Sequence, residues 1–200
     1  MERLNRLYLA RHGQVDGYDE YPVYGHTDVD ITEVGKIQME RLAERLRHTD
    51  LKAIYSSDLK RTVKGAQIIA GHHDVPIHTL PELRELYFGD WEGKTLSEIC
   101  ERFPDELEKR KTDMANYRAP GGGESMHDLS NRVMACVRHI RKEQKGDDIL
   151  LVCHGGVNRV ILCDALGLEL SKMSNFHQDY GCLNTIDYFP DSTLVRLING

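Results

Sequence analysis

A disulfide framework, a membrane span and a basic surface are all missing from this chain of 200 residues. Its five cysteines (Cys100, Cys136, Cys153, Cys163 and Cys182) are odd in number and form no CxxC pair, and Cys153 and Cys163 sit in apolar stretches. They read as buried, reduced thiols, which suits a cytosolic chain. The first residues, Met1-Glu2-Arg3-Leu4-Asn5-Arg6, lack the apolar segment of a signal peptide, and no run approaches the ~20 apolar residues of a membrane-crossing helix. A soluble, cytoplasmic protein without a membrane partner is expected. Acidic groups outnumber basic ones, 32 against 26, and the net charge of −6 argues against a general affinity for nucleic acid. Any anion site must therefore be local. Repeats, linkers and low-complexity tracts are absent as well. With 40% hydrophobic residues at this length, one core and a single domain over residues 1–200 are expected.

What is present alternates between apolar runs and helical stripes. Thr32 precedes Val34, Ile37, Leu42, Ala43 and Leu46, a stripe that predicts a helix over about 32–47 with basic residues at its end. Ala53-Ile54-Tyr55-Ser56 is a short strand, after which Ser57 is expected to cap a helix carrying Leu59, Val63, Ala66 and Ile69 on one face up to Gly71. Pro76 to Thr79 is a weaker strand. Thr95 and Glu98 form a capping box, and the charged stretch from Asp105 to Asn116 predicts a surface helix or cap, giving a small helical cap over about 95–120. Ser125 opens a long helix with Met126, Leu129, Val133, Val137 and Ile140 on its buried face. A strand from Asp148 to His154 is followed by a helix from Val157 to Leu166 with Gly167 as its C-cap, and Leu183–Phe189 and Thr193–Ile198 flank Pro190-Asp191 as a hairpin. The expected fold class is α/β, a three-layer α/β/α sandwich whose mostly parallel sheet ends in an antiparallel edge.

Two of the apolar runs end in His-Gly: Leu7-Tyr8-Leu9-Ala10-Arg11-His12-Gly13 and Ile149-Leu150-Leu151-Val152-Cys153-His154-Gly155-Gly156. In open α/β sheets, ligands bind just beyond the carboxyl ends of the strands, so two imidazoles are expected to meet there. With Arg11 adjacent, they describe a pocket for a phosphate that a histidine attacks: neutral imidazole is nucleophilic near pH 7, and a guanidinium neutralises the transferring oxygens. An isolated histidine at a strand end is more simply structural; the rest of the chain shifts that balance. Ser56-Ser57-Asp58-Leu59-Lys60-Arg61 puts Arg61 in the first turn of a helix, where the helix dipole also favours an anion. The stretch Leu83-Arg84-Glu85-Leu86-Tyr87-Phe88-Gly89-Asp90-Trp91-Glu92-Gly93 resembles a pocket rim. A carboxyl partly desolvated by such aromatics would have a raised pKa and could protonate a leaving group. Tyr18, Tyr21 and Tyr24 of the first loop, and Trp91, either stack on a flat leaving group or pack the chain down, and His26 lies in the same loop. His72, His73 and His78 have no acidic partner at ligand-like spacing, so they read as surface histidines and no metal is expected.

Together, Leu9-Ala10-Arg11-His12-Gly13-Gln14, Tyr55-Ser56-Ser57-Asp58-Leu59-Lys60-Arg61-Thr62, Leu83 to Gly93, Pro120-Gly121-Gly122-Gly123-Glu124-Ser125 and Val152-Cys153-His154-Gly155-Gly156 resemble the histidine phosphatase superfamily, in its phosphoglycerate-mutase-like branch. The motifs fall in the family's order over nearly the whole chain. The resemblance implies that His12 becomes a phosphohistidine, that Arg11, Arg61 and His154 grip the phosphoryl oxygens, and that Glu85 protonates the leaving alkoxide and then activates water. It implies substrate contacts from Gln14 and the Gly155 amide, and because the family's first loop crosses the mouth of the site, Tyr24 and His26 are candidate contacts too, with Trp91 of the rim. No cofactor is implied; the partner is a small phosphorylated metabolite, and a homodimer enters only because many relatives form one.

Within the family, the stretch Phe88-Gly89-Asp90-Trp91-Glu92-Gly93 and the His154-Gly155-Gly156 ending resemble the small phosphatases, including the α-ribazole-5′-phosphate phosphatases of cobalamin synthesis and the broad-specificity phosphatases. They depart from the cofactor-dependent mutases. Near the mouth, Arg84 and Lys94 face Asp16, Asp19, Glu20, Asp90 and Glu92, which leaves little to hold a doubly phosphorylated cofactor. Hydrolysis is expected over mutase action, and over a non-catalytic phospho-ligand module, because His12, Arg61, Glu85 and His154 are all present.

Overall fold

Burial on both faces explains the most apolar strand and, with it, the whole architecture. The computed structural model describes residues 2–20 and 22–200. In chain order the elements are β1 (Asn5–Arg11), α1 (Glu33–Leu46), β2 (Leu51–Ser56), α2 (Lys60–Ala70), β3 (Ile77–Thr79), α3 (Leu96–Arg102), α4 (Pro104–Thr112), α5 (Met126–Glu143), β4 (Asp148–Cys153), α6 (Gly155–Leu166), β5 (Leu183–Tyr188) and β6 (Thr193–Leu197). Short 3-10 turns occupy Pro81–Leu83, Gly89–Trp91 and Leu170–Asn175. The six strands form one sheet in the order β3-β2-β4-β1-β5-β6. Parallel pairing joins β3, β2, β4 and β1, while β5 and β6 run antiparallel at the edge. This is the expected α/β/α sandwich.

Side chains alternate across the sheet, so β4 divides its residues between two cores. Ile149, Leu151 and Cys153 pack with Leu129, Val133, Val137 and Ile140 of α5 and with Val157 and Ile161 of α6. Leu150 and Val152 pack on the other face with Met39, Leu42 and Leu46 of α1 and Ala66 and Ile69 of α2. A third, smaller cluster of Trp91, Ile99 and Ala119 lies beneath α3 and α4, joined by Phe88, Phe103 and Leu107. None of the helices among the described residues is long and apolar enough to cross a membrane.

Local signals set most helix starts. Thr32 accepts from the Gly35 amide, and Thr95 and Ser125 each form a reciprocal capping box, with Glu98 and Asp128 respectively. Gly167 closes α6 with φ +65°, a left-handed conformation that glycine adopts without strain. Two expectations need correction. The helix after β4 begins at Gly155, so both glycines lie inside its first turn. Ser57 does not cap α2 with its side chain: the Lys60 amide donates to Asp28 Oδ1 at 2.7 Å, a cap supplied by a distant loop, and Ser57 is turned inward.

Candidate active site

β1 and β4 are neighbours, with Arg11 opposite Cys153, so their carboxyl ends deliver His12 and His154 side by side. The ring centroids are 5.2 Å apart, edge to face, and both rings are buried. The chain leaves β1 toward α1 on one face of the sheet and leaves β4 into α6 on the other, which opens a crevice between the two strand ends.

His12 Nδ1 lies 2.8 Å from the Gly13 carbonyl oxygen. A carbonyl only accepts, so Nδ1 carries the proton and Nε2 keeps its lone pair. Burial, reinforced by the Arg11 and Arg61 charges, pushes the His12 pKa well below the usual imidazole range, so the ring stays neutral. His154 is held in the same way: burial first, then Arg61, His12 and Arg11, lower its pKa well below that range. Its Nδ1 accepts from Arg61 Nε at 3.3 Å and its Nε2 donates to Ser57 Oγ at 2.8 Å, with Thr62 Oγ1 2.6 Å further on.

Arg61 is almost fully enclosed and has no carboxylate partner among the described residues. Its terminal nitrogens donate to the Thr27 and Gly25 carbonyls, each at 2.7 Å, which ties the first loop over the site. Arg11 donates to the Gln178 carbonyl at 2.6 Å and lies against the ring of Tyr180, 4.0 Å from its centroid. Tyr180 is also 5.6 Å from the His12 ring. A small cavity of about 150 Å³ gathers Arg11, His12, Tyr24, Arg61, His154 and Tyr180 around one point, with Glu85 at its edge.

Glu85 is fixed at both oxygens: Oε1 accepts from the Leu86 amide at 2.9 Å and Oε2 from the Gly156 amide at the start of α6, also 2.9 Å. A Cβ on Gly156 would sit 2.3 Å from Glu85 Oε1, so any other residue there would push the carboxylate out of this position. The Glu85 carbonyl in turn accepts from His26 Nε2 at 2.9 Å and Arg132 Nη2 at 3.3 Å, and Arg132 also donates to the Glu82 and Arg84 carbonyls while pairing with Glu124. Beyond Glu85 opens a second cavity of about 480 Å³, bounded by Phe88, Met114, Met126, Met173 and Phe176.

His12, His154, Arg11, Arg61 and Glu85 thus converge. Tyr24 lines the smaller cavity while its hydroxyl donates to the Asp16 carbonyl, and burial pushes its pKa up to about 12. Gly155 starts α6 beside Arg11. Three expectations shift. Trp91 is 1% exposed in the cluster under α3 and α4, so it packs the chain down and does not meet a ligand. His26 stacks on Tyr87 and braces the backbone of Glu85. Gln14 accepts from Thr32 Oγ1 at 2.8 Å and stands outside the residues lining the smaller cavity. Arg84, expected at the rim, is taken up by a bidentate pair with Asp58. Tyr18 is exposed, and Tyr21 lies outside the described residues.

Sequence reasoning missed Tyr180, Gln178, Arg132 and Arg159. Their signal is tertiary: β5 runs antiparallel to β1, with Leu183 opposite Ala10, so Gln178 and Tyr180 just before β5 arrive at the carboxyl end of β1, while Arg132 and Arg159 come from α5 and α6. Among the described residues no group of three or more His, Cys, Asp or Glu side chains is arranged to hold a metal ion.

The fold and site define a class, a doubly covered α/β sheet with paired histidines and carboxylate-free arginines at adjacent strand ends. The sequence model of the histidine phosphatase superfamily (branch 1) matches residues 7–200, and the chain belongs to that superfamily. The adenosylcobalamin/α-ribazole phosphatase of Salmonella typhimurium strain LT2 is 28% identical over 194 residues, covering 97% of this chain and 96% of that one. The metal-independent phosphoserine phosphatase of Arabidopsis thaliana is 34% identical over 160 residues, 79% of this chain and 67% of the relative. The crystal structure of the α-ribazole phosphatase from Shigella flexneri superposes with a TM-score of 0.90 at 26% identity, covering 98% of this chain and 96% of that one.

Proposed function

We propose that this chain is a metal-independent phosphomonoesterase that works through a phosphohistidine on His12. The observation that carries the reading is Glu85, which lines both cavities and shares the smaller one with a neutral His12. The phosphoryl group occupies the smaller cavity among Arg11, Arg61 and His154. His12 Nε2 attacks phosphorus as the ester P–O bond breaks, and Glu85 gives its proton to the departing alkoxide. Glu85 then takes a proton from water, whose oxygen attacks phosphorus; the P–N bond breaks and inorganic phosphate leaves. The arginines stabilise the charge on the transferring oxygens throughout.

The substrate is a small phosphorylated metabolite, with α-ribazole 5′-phosphate as the named candidate on the strength of the Salmonella relative. The chain acts as one domain whose cap spans about 95–120, with α3 and α4 over their own small core. All five cysteines are free thiols, in keeping with a cytoplasmic location. A homodimer completes the proposal, to be read from the solution mass.

Phosphate release from p-nitrophenyl phosphate in excess EDTA tests the reaction. Wild type is expected to turn over and His12→Ala to lose at least ~10³-fold, after which α-ribazole 5′-phosphate and 3-phosphoglycerate rank the substrates. Equal rates in both proteins, or none in either, would overturn the hydrolase and bring the mutase or a binding module forward.

A further inference from the structure

Three arginines away from the cavities are held by bidentate carboxylate pairs. Arg6 holds Asp187, Arg84 holds Asp58 and Arg132 holds Glu124, each with two hydrogen bonds. Arg11 and Arg61, which face the phosphate cavity, have no carboxylate within 4.0 Å among the described residues. Two further arginines share that condition and face the larger cavity: Arg110 from α4 and Arg159 from α6. Arg110 lies over Phe88 and Trp91, 5.6 and 5.5 Å from their ring centroids. Arg159 donates from Nε to the Phe176 carbonyl at 3.2 Å. Arg141, also without a carboxylate among the described residues, is instead covered by the Tyr188 ring, 3.3 Å from its centroid.

Desolvating a guanidinium without an anion is costly, and a ring face offsets only part of that cost. The wall between the two arginines is apolar and adaptable, with three methionines able to fit an irregular or flat body. The cavity adjoins Glu85, the group that protonates the departing oxygen, so its occupant is the leaving alcohol. We propose that this larger cavity selects phosphomonoesters whose leaving alcohol combines an apolar body with a second anionic group, bound by Arg110 and Arg159. The proposal rests on the phosphomonoesterase reading but departs from its named candidate: an ester with an anionic leaving group is expected to outcompete α-ribazole 5′-phosphate, whose leaving group is neutral. A carboxylate and a second phosphate present the same chemistry to a guanidinium.

The experiment compares kcat/KM for phenyl phosphate, carboxyphenyl phosphate and phenylene bisphosphate. The proteins are wild type, Arg110→Met, Arg159→Met and the exposed-surface control Arg138→Met. Wild type is expected to favour an anionic ester over phenyl phosphate by about 10-fold, and the two cavity variants to lose that ratio while the control keeps it. The carboxylate and phosphate arms show which anion is preferred. No preference in wild type, or a ratio unchanged in both cavity variants, would overturn the proposal. Binding of phenylphosphonate and carboxyphenylphosphonate by calorimetry gives the same ratio without turnover. A protein that binds with the preference but hydrolyses nothing would therefore remove the enzyme reading and leave the anion site standing.

Discussion

His12 owes its readiness to two local facts, a proton fixed on Nδ1 by the Gly13 carbonyl and an imidazole kept neutral by burial between two guanidinium groups. A free histidine is half protonated near pH 6.5 and would be a poor nucleophile below it. The expected result of a nitrogen-15 titration is a neutral ring bearing its proton on Nδ1 from pH 8 down to pH 6. A ring that protonates near 6.5, or carries its proton on Nε2, would contradict the geometry. The sequence made His12, Arg61, Glu85 and His154 legible because each sits in a short motif at a strand end or helix start. Trp91 stayed open between stacking on a ligand and packing because its neighbours in sequence are turn residues, while those that decide it in space are Ile99 and Ala119. Gln14 and His26 lie near the site in sequence, yet their polar atoms serve Thr32 and the Glu85 backbone.

Elements meet at close approaches that only glycine permits. β1 hands over to α1 where Gly13 and Gly35 touch: a Cβ on Gly35 would come within 2.2 Å of the Gln14 carbonyl oxygen, a backbone atom that has no room to yield. Gly65 within α2 is a useful contrast, since its added Cβ would meet the flexible end of Met39 at 2.9 Å. Both glycines are helical, so alanine brings the same helix propensity to each. Gly35→Ala is expected to cost about 1–3 kcal/mol, a drop of several degrees in Tm, and Gly65→Ala clearly less. Thermal melts that rank the two the other way would show that the β1–α1 contact relaxes. Capping boxes at Thr95 and Ser125 were readable because donor and acceptor lie three residues apart. The cap of α2 was not: Asp28 reaches the Lys60 amide across 32 positions, and Ser57 is drawn away by His154.

Stability of the whole molecule carries the signature of its buried site. His12 and His154 bind protons less readily when folded than the usual imidazole value of 6.5. Below that value the unfolded chain therefore holds more protons than the folded one, and stability falls as pH drops. Asp187, held by Arg6 and Arg196 at about 2 against an ordinary 3.8, adds stability above 3.8 that is lost as pH falls toward 2. Denaturant midpoints are expected to decline steadily from pH 7.5 to 5, with a shallower slope in His12→Gln. A flat profile, or equal slopes in both proteins, would mean that the two histidines titrate normally. The alternation of strands and helices, the apolar character of β4 and the pair of His-Gly steps were fixed by local composition and periodicity, so the fold class and the chemical centre followed from the sequence alone. The order of strands in the sheet was a matter for tertiary structure, and with it came Tyr180 and Gln178 beside Arg11, Arg132 behind Glu85, and the Arg110–Arg159 cavity. Those contacts join residues far apart in the chain, and only the pairing of β5 with β1 and the packing of helices onto the sheet bring them together.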